Sequence, residues 1–468
     1  MIKGKIIKIS SDIIEVRFSN EIKIELEIGK ILYDETKDNL LLIEKIISEN
    51  LIRAIIISSK SNLYINQELI LANSKLKVPV GENTKGNIFN IKGESLNNPN
   101  LQFEFIDMDS TINKQNFKNT EKVFLETGIK VIDFFTPIFK GAKLGIFGGA
   151  GVGKTILMKE LIFNLSNNKT NSDKKITPIF IGSGERIREG QELLEELKEA
   201  QFLDKSIVFI SQMNETPGSR NKIIPYGITA AEYLRDNNKE DILLFIDNIY
   251  RFIQAGNELS ASLGKKPSSA GYQPTLNSEV AYIEERLNQN QNGSITSFQT
   301  VFLPMDDIND PGSTAVFSHL DSVLVLSRDI ASSDIFPAFD ALNSNSNLTT
   351  VENIGEKHFH VLSETKRILQ KYNELKEIIL ILGIENLDYE NWVIAKKALQ
   401  LINFFSQKLN AASNFIKEKG DFVPLKDTIE SVKKINEGLY LKRDPEEFFY
   451  IKSTNELLTD EELDKKNA

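Results

Sequence analysis

The run GGAGVGKT, Gly148 to Thr155, constrains this chain more than any other stretch, because it meets the pattern G-x-x-x-x-G-K-[ST] at every defined position. The apolar residues before it (Leu144, Ile146, Phe147) predict a strand, and the spacing after it (Ile156, Leu157, Leu161, Ile162) predicts a helix. A strand, a glycine-rich turn and a helix in that order form an anion cradle. Gly148, Gly149, Gly151 and Gly153, with Ala150 and Val152 between them, let the backbone curl so that successive N–H groups face one point. The helix presents its positive end to the same point. Lys154 is positioned to reach the β- and γ-phosphates, and the Thr155 hydroxyl to ligate magnesium. The expected ligand is a nucleoside triphosphate, ATP or ADP with Mg2+.

The rest of the chain sets the frame for that loop. With 468 residues, two to four domains are expected. A net charge of −10 argues against a chain-wide nucleic-acid surface, and zero cysteines exclude disulfides, thiol catalysis and cysteine metal sites. The start, MIKGKIIKISSDIIEV, alternates like a strand and carries charges within its apolar positions, unlike a signal peptide. No apolar run approaches the roughly 18 residues of a membrane span, so a cytoplasmic location is expected.

Residues 1–79 read as short strands. Ile14, Val16 and Phe18 alternate with other residues, and Ile22, Ile24, Leu26 and Ile28 alternate with Glu21, Lys23, Glu25 and Glu27, which predicts a small antiparallel β-barrel. Over 80–354, apolar runs such as Ile179–Ile181, Ile207–Ile210, Ile242–Ile246 and Val323–Leu326 alternate with helical stretches, the pattern of a mostly parallel α/β sheet. Over 355–468 helical spacing takes over.

Several polar residues fall beside the loop. Ile242–Asp247 is an apolar strand ending in a carboxylate, which holds a magnesium-bound water or merely caps the next helix. Glu185, after the strand Ile179–Ile181, is either a general base for the attacking water or a carboxylate attracted to a helix dipole; Arg186 and Glu189 face the same choice. Arg251 follows Asp247 by four residues, one helical turn, which puts it either near the phosphates or, taken alone, on the surface. The pair His358 and His360 is a weak metal signal without further ligands.

Longer blocks decide among these readings. GGAGVGKT, GERIREG (Gly184–Gly190), QMNETPGSR (Gln212–Arg220), LLFIDNIYRFIQAGNELSASLG (Leu243–Gly264), GYQPTLNSE (Gly271–Glu279), GSITSFQTVFLPMDD (Gly293–Asp307), HLDSVLVLSR (His319–Arg328) and VPLKDTIE (Val423–Glu430) resemble, in order and spacing, the catalytic β subunits of F-type ATP synthases. The resemblance is strong over roughly 120–450 and weak over 1–79. It implies an N-terminal β-barrel, a RecA-like nucleotide-binding domain and a C-terminal helical domain. It also implies a hexameric ring in which such chains alternate with α-type subunits around a central γ-type shaft. Carried onto this chain, it makes Glu185 the residue that orients the attacking water, and it brings Arg186 to the phosphates or to the neighbouring subunit. Glu189 and Asp247 hold magnesium waters, Arg251 approaches the γ-phosphate, and Phe336, Ala412 and Phe415 form the adenine slot. The arginine finger comes from the α-type neighbour.

A carboxylate at Glu185 separates this chain from the non-catalytic α-type relatives, which carry an amide there. V- and A-type catalytic subunits would need a large insertion for which there is no room. A Rho-like RNA translocase should show aromatics among basic residues in its barrel, whereas residues 1–79 hold only Phe18, Tyr33 and Tyr64.

The departures from the family lie elsewhere. Phe302 and Phe336 stand where tyrosines are usual. The shaft-facing acidic loop is thinned to Glu385-Asn386-Leu387-Asp388-Tyr389-Glu390-Asn391, and the barrel opening reads Ser10-Ser11-Asp12-Ile13-Ile14-Glu15-Val16. The expected function is therefore a diverged paralogue that hydrolyses ATP in an F-type-like ring and powers a motor, transport or motility machine, with possible membrane or motor-specific subunits. The alternative is a housekeeping synthase β subunit. The expected location is peripheral, at the inner face of the cell membrane.

Overall fold

The computed structural model describes residues 2–19, 26–110, 122–149, 151–167, 174–199, 202–307, 309–412, 420–460 and 462. The chain packs into two compact units, one drawn from 1–120, 172–301 and 307–319, the other from 121–171, 302–306 and 320–468.

The first unit opens with a closed antiparallel barrel. Its strands are β1 (Ile2–Ser10), β2 (Ile13–Phe18), β3 (Lys30–Tyr33), β4 (Leu40–Ser48), β5 (Leu51–Ser58) and β6 (Glu68–Lys75), paired in the order β1-β2-β5-β4-β3-β6. Alternate residues of these strands, including Ile6, Ile14, Val16, Phe18, Leu32, Ile43, Ile52 and Leu69, fill the interior. The strand expected over 22–28 is not found where it can be followed: residues 20–25 lie outside the described residues, and Leu26–Gly29 is loop and turn. Gly29 has φ +89°, a turn conformation that breaks the period-two pattern, and Glu27 is tied to Lys75 at 2.8 Å.

Beyond the barrel, the same unit holds five parallel strands in the spatial order Ile295–Phe302, Asp241–Asp247, Ile176–Glu185, Ile207–Gln212 and Ile88–Phe89. The first four are almost continuously buried, which suits strands covered on both faces. Phe180, Phe245 and Phe298 stack across three neighbouring strands with centroids 5.1 and 4.9 Å apart, locking their register.

The helix Pro217–Asn237 runs between this sheet and the barrel. Thr216 caps it by accepting from the Ser219 N–H, while its hydroxyl donates to the Ile57 carbonyl at 2.8 Å. Gly218 lets the helix start meet β5, for a Cβ there would lie 2.2 Å from the Ile56 carbonyl oxygen.

In the second unit, the strand Lys143–Gly148 pairs in parallel with Ser322–Val325, and Asn345–Ser346 adds an antiparallel edge. The helices Glu356–Leu382, Tyr389–Phe404 and Leu425–Glu437 follow. Their core includes Phe134, Phe135 and Phe405, whose rings lie 4.9 to 5.3 Å apart. His358 belongs to that core: its Nε2 lies 2.9 Å from the Phe134 carbonyl oxygen and its ring packs on Phe134. That placement accounts for His358 without a metal.

Gly218→Ala is expected to destabilise the chain by about 1–3 kcal/mol, because the obstructing atom is backbone and cannot swing away. Denaturant unfolding checks this; an unchanged midpoint would contradict the close packing of helix on barrel.

Candidate functional site

The first unit brings candidate residues together at the carboxyl ends of its parallel strands. Gly182 on Ile176–Glu185 is level with Asp247 on Asp241–Asp247, so Glu185 and Asp247 emerge at the same sheet edge. The Glu185 carbonyl accepts from the Met213 N–H at 2.9 Å, which fixes the strand end. Asp247 accepts a hydrogen bond from the Thr300 hydroxyl on the adjacent strand. Asn248 then caps the helix Ile249–Ser262 through the Tyr250 N–H.

Arg251 lies on the first turn of that helix and donates to Gln254 at 2.9 Å. Its stem packs on Gly184, whose backbone has φ +68° and whose missing Cβ would sit 3.2 Å from Arg251 Cβ. Arg251 is thus held against the strand end rather than left on the open surface. Beside it, Arg220 and Glu258 form a fork pair at 3.2 and 2.5 Å. The only sequence signal for this pair is that Arg220 closes the block QMNETPGSR.

The electrostatics of this cluster are dominated by Glu185. Burial, then the charges of Asp247 and Glu189, push its carboxyl up to about 9, against the opposing pull of Arg251. Glu189 and Arg186 lie further out, with side chains 53% and 69% exposed and a loose 3.8 Å contact between them. Carboxylates crowded so that their repulsion outweighs the pull of Arg251 suit a divalent ion held through water. Among the described residues no group of three His, Cys, Asp or Glu side chains converges as direct ligands. That donor set fits magnesium, which retains several waters and takes its remaining ligands from a hydroxyl and from phosphates.

The second unit holds the phosphate loop. Gly151 and Gly153 have φ +78° and +93°, and a Cβ at Gly148 would meet the Leu326 carbonyl oxygen at 3.0 Å. Lys154 and Thr155 open the helix Lys154–Asn167. The Lys154 ammonium donates to the carbonyls of Gly148, at 2.7 Å, and Gly149, and stands 5.8 Å from the centre of the Phe302 ring. That ring contact needs no hydroxyl, so a phenylalanine makes it as a tyrosine would. Ala150 lies outside the described residues.

Beside the loop is a cavity of about 190 Å3, almost wholly apolar, lined by Val152, Ile156, Leu326, Phe336, Pro337 and Tyr450 among others. Phe336, 39% exposed, offers a flat wall. Ala412 ends the short 3-10 turn Asn410–Ala412, and Phe415 lies outside the described residues. Two members of this slot had no sequence motif. Tyr450 lines it from near the C-terminus, and its hydroxyl donates to the Asp334 carbonyl at 3.1 Å. Gln407 joins its own N–H to the Phe336 carbonyl at 2.9 Å, and its side-chain amide donates to Gly128 and Asp421.

A glycine-rich loop at the start of a helix, with a flat apolar slot beside it, and carboxylates at the ends of parallel strands define a P-loop nucleotide-binding protein. The family model described as "ATP synthase alpha/beta family, nucleotide-binding domain" matches residues 128–346. The chain is 48% identical over 456 residues to "ATP synthase subunit beta 2" of Mycoplasmopsis pulmonis (strain UAB CTIP), covering 97% of this chain and 96% of the relative. The chain belongs to the ATP synthase alpha/beta family, as a catalytic β-type subunit that uses ATP and ADP with Mg2+.

The raised Glu185 carboxyl carries a linkage consequence. Its folded value, about 9, exceeds the ordinary 4.5, so between those values the folded chain holds a proton that the unfolded chain has released. Stability contributed by this group is therefore present at low pH and lost as pH rises toward 9. Glu185→Gln removes the titration. Its melting temperature relative to the unsubstituted chain should climb from pH 5 to pH 9 in chelator without nucleotide. A difference that stays constant with pH would contradict the crowded-carboxylate electrostatics.

Proposed function

We propose that this chain hydrolyses MgATP to ADP and phosphate within a hexameric F-type-like ring, and that it is a diverged paralogue driving a motor, transport or motility machine. What carries the reading is the contrast between an intact phosphate loop with its strand-end carboxylates and an altered tip on the helical hairpin. The name of the relative, "subunit beta 2", accords with a second copy of a β-type chain.

Residues take the following roles in this reading. Backbone N–H groups of Gly148–Thr155, with Ala150 among them, cradle the phosphates, and Lys154 neutralises their charge. Phe336, Ala412 and Phe415 hold the adenine. The Thr155 hydroxyl would hold magnesium, with Asp247 and Glu189 reaching it through water; the ion supplies charge neutralisation on the phosphates. Glu185 orients the attacking water and accepts its proton; Arg251 and the bound magnesium would hold its carboxyl ionised against the burial and repulsion that raise its pKa. Arg251 meets charge developing on the transferred phosphoryl group, and Arg186 faces the phosphates or the neighbouring subunit. The site is completed by an arginine from an α-type neighbour, and the ring turns a γ-type shaft. No helix among the described residues is long and apolar enough to cross a membrane. Attachment at the inner face of the cell membrane would then run through partner subunits.

Support for a changed load comes from the hairpin tip. Leu380, Ile381 and Tyr389 are 85, 81 and 73% exposed, and Asp388 is engaged as the cap of Tyr389–Phe404 through the Asn391 N–H. The tip is thus more apolar and less acidic than a shaft contact built on charge. Of the barrel aromatics weighed for a Rho-like role, Phe18 is buried in the core rather than free to stack on bases, and Tyr64 is exposed but forms no ring pair with a second aromatic among the described residues.

In the assembled complex, Glu185→Gln should keep nucleotide affinity and lower turnover by roughly 10²–10⁴-fold; near-normal hydrolysis would overturn its role. Lys154→Ala should weaken ATP binding by about 10–150-fold, the worth of a hydrogen bond to a charged group. The isolated chain should turn over on the order of 10³-fold or more slowly than the ring with its α-type partner. Purifying the native complex tests the load: co-purified proton-channel subunits would overturn the paralogue reading and favour a housekeeping synthase.

A further inference from the structure

We infer that Glu160 is a positioning residue for the adenine slot, acting through the turn Asn410–Ala412. The inference rests on the nucleotide reading above and adds to it a residue for which neither the motif nor the resemblance supplied a role.

Glu160 lies on the helix Lys154–Asn167, whose first residues close the phosphate loop. Its side chain is fully buried. One carboxylate oxygen accepts from the Ala411 N–H at 2.8 Å, and the other from the Asn410 side-chain amide at 3.0 Å. Burial raises its pKa, and these donors pull it back. A buried carboxylate is costly, and here it spends both oxygens on one short turn far along the chain. A neighbour on the same helix, Asn164, donates to the Thr127 carbonyl at 2.9 Å, which ties the helix to a further loop.

The turn that Glu160 holds continues the slot wall. Gln407, Lys408 and Leu409, immediately before it, line the cavity, and the Gln407 N–H is bonded to the carbonyl of Phe336, which lines it too. Glu160 thereby fixes the base wall to the helix that begins at Lys154. The distance from adenine to phosphates is set by one rigid element rather than by a free loop. Without the carboxylate, the Ala411 N–H and the Asn410 amide lose their acceptor and the wall can drift, while the phosphate loop keeps its own backbone.

The test compares two probes on the full chain, ADP and inorganic pyrophosphate, by calorimetry. Glu160→Ala should weaken ADP by about tenfold or more, the worth of a charge-assisted hydrogen bond, and leave pyrophosphate within about twofold. Glu160→Gln, which keeps one acceptor oxygen, should fall between. Guanosine diphosphate should lose less than ADP in Glu160→Ala, since a loosened wall discriminates less between bases. Parallel weakening of ADP and pyrophosphate would overturn the inference in favour of general damage to the helix, as would unchanged ADP affinity in both variants. If the unsubstituted chain binds neither probe, the nucleotide reading itself falls, and this inference with it.

Discussion

Repulsion between carboxylates at the ends of buried strands is the constraint around which the first unit's cluster of functional side chains is organised. Glu185 and Asp247 emerge at one sheet edge because their strands are paired in parallel with Gly182 level with Asp247. Neither charge is comfortable there. The Thr300 hydroxyl supports Asp247, Arg251 opposes the repulsion on Glu185, and the remaining stress appears as a carboxyl pushed up to about 9. A bound cation relieves such stress, so the same crowding that, with burial, raises Glu185 favours a divalent ion beside it. The buried strands, the glycine under Arg251 and the helix cap at Asn248 all hold that arrangement in place.

The second unit solves a different problem, the geometry of one ligand with a charged end and a flat apolar end. Glycines with positive φ shape the first, and Phe336 with its apolar neighbours shapes the second. The helix that starts at Lys154 joins them, since its buried Glu160 grips the turn at Asn410. The phosphate loop and the base slot therefore share a single frame.

Much of this was legible in the sequence, and what was not has a common physical cause. The phosphate loop is contiguous, and its chemistry tolerates few residue types, so GGAGVGKT is read directly. Long apolar runs likewise announce the buried strands, and the barrel follows from alternation in segments such as Ile13–Phe18. The pattern misled at Leu26–Ile28, where alternation runs on into the turn at Gly29 because residue periodicity carries no information about where φ becomes positive. Glu160, Gln407 and Tyr450 stayed hidden for another reason. Their partners lie far away in sequence, Asn410 for Glu160 and Gly128 for Gln407, and a lone Glu within a helix has no local signature. For Arg251 spacing alone favours the surface and only the resemblance puts it near the γ-phosphate; what holds it at the strand end is Gly184, distant in sequence.

The chemistry of ATP is easier to read in this chain than the work it performs, and the two surfaces explain why. A phosphate loop must match an invariant ligand, so its residues are confined to a narrow set. A docking tip must match only its partner, and the pair can change together while each remains complementary. In the hairpin, Asp388 is engaged as a helix cap, and its neighbours Leu380 and Ile381 stand in solvent. Of the carboxylates in Glu385–Asn391, that leaves Glu385 and Glu390 outside the capping interaction, too few for a contact carried by charge alone. A contact made through an apolar tip depends on shape and buried area, which salt does not screen. The departures that cost the family pattern its acidity therefore leave a surface with its own physical logic, and it is on that surface, rather than on any residue at the nucleotide, that the proposal of a changed load rests.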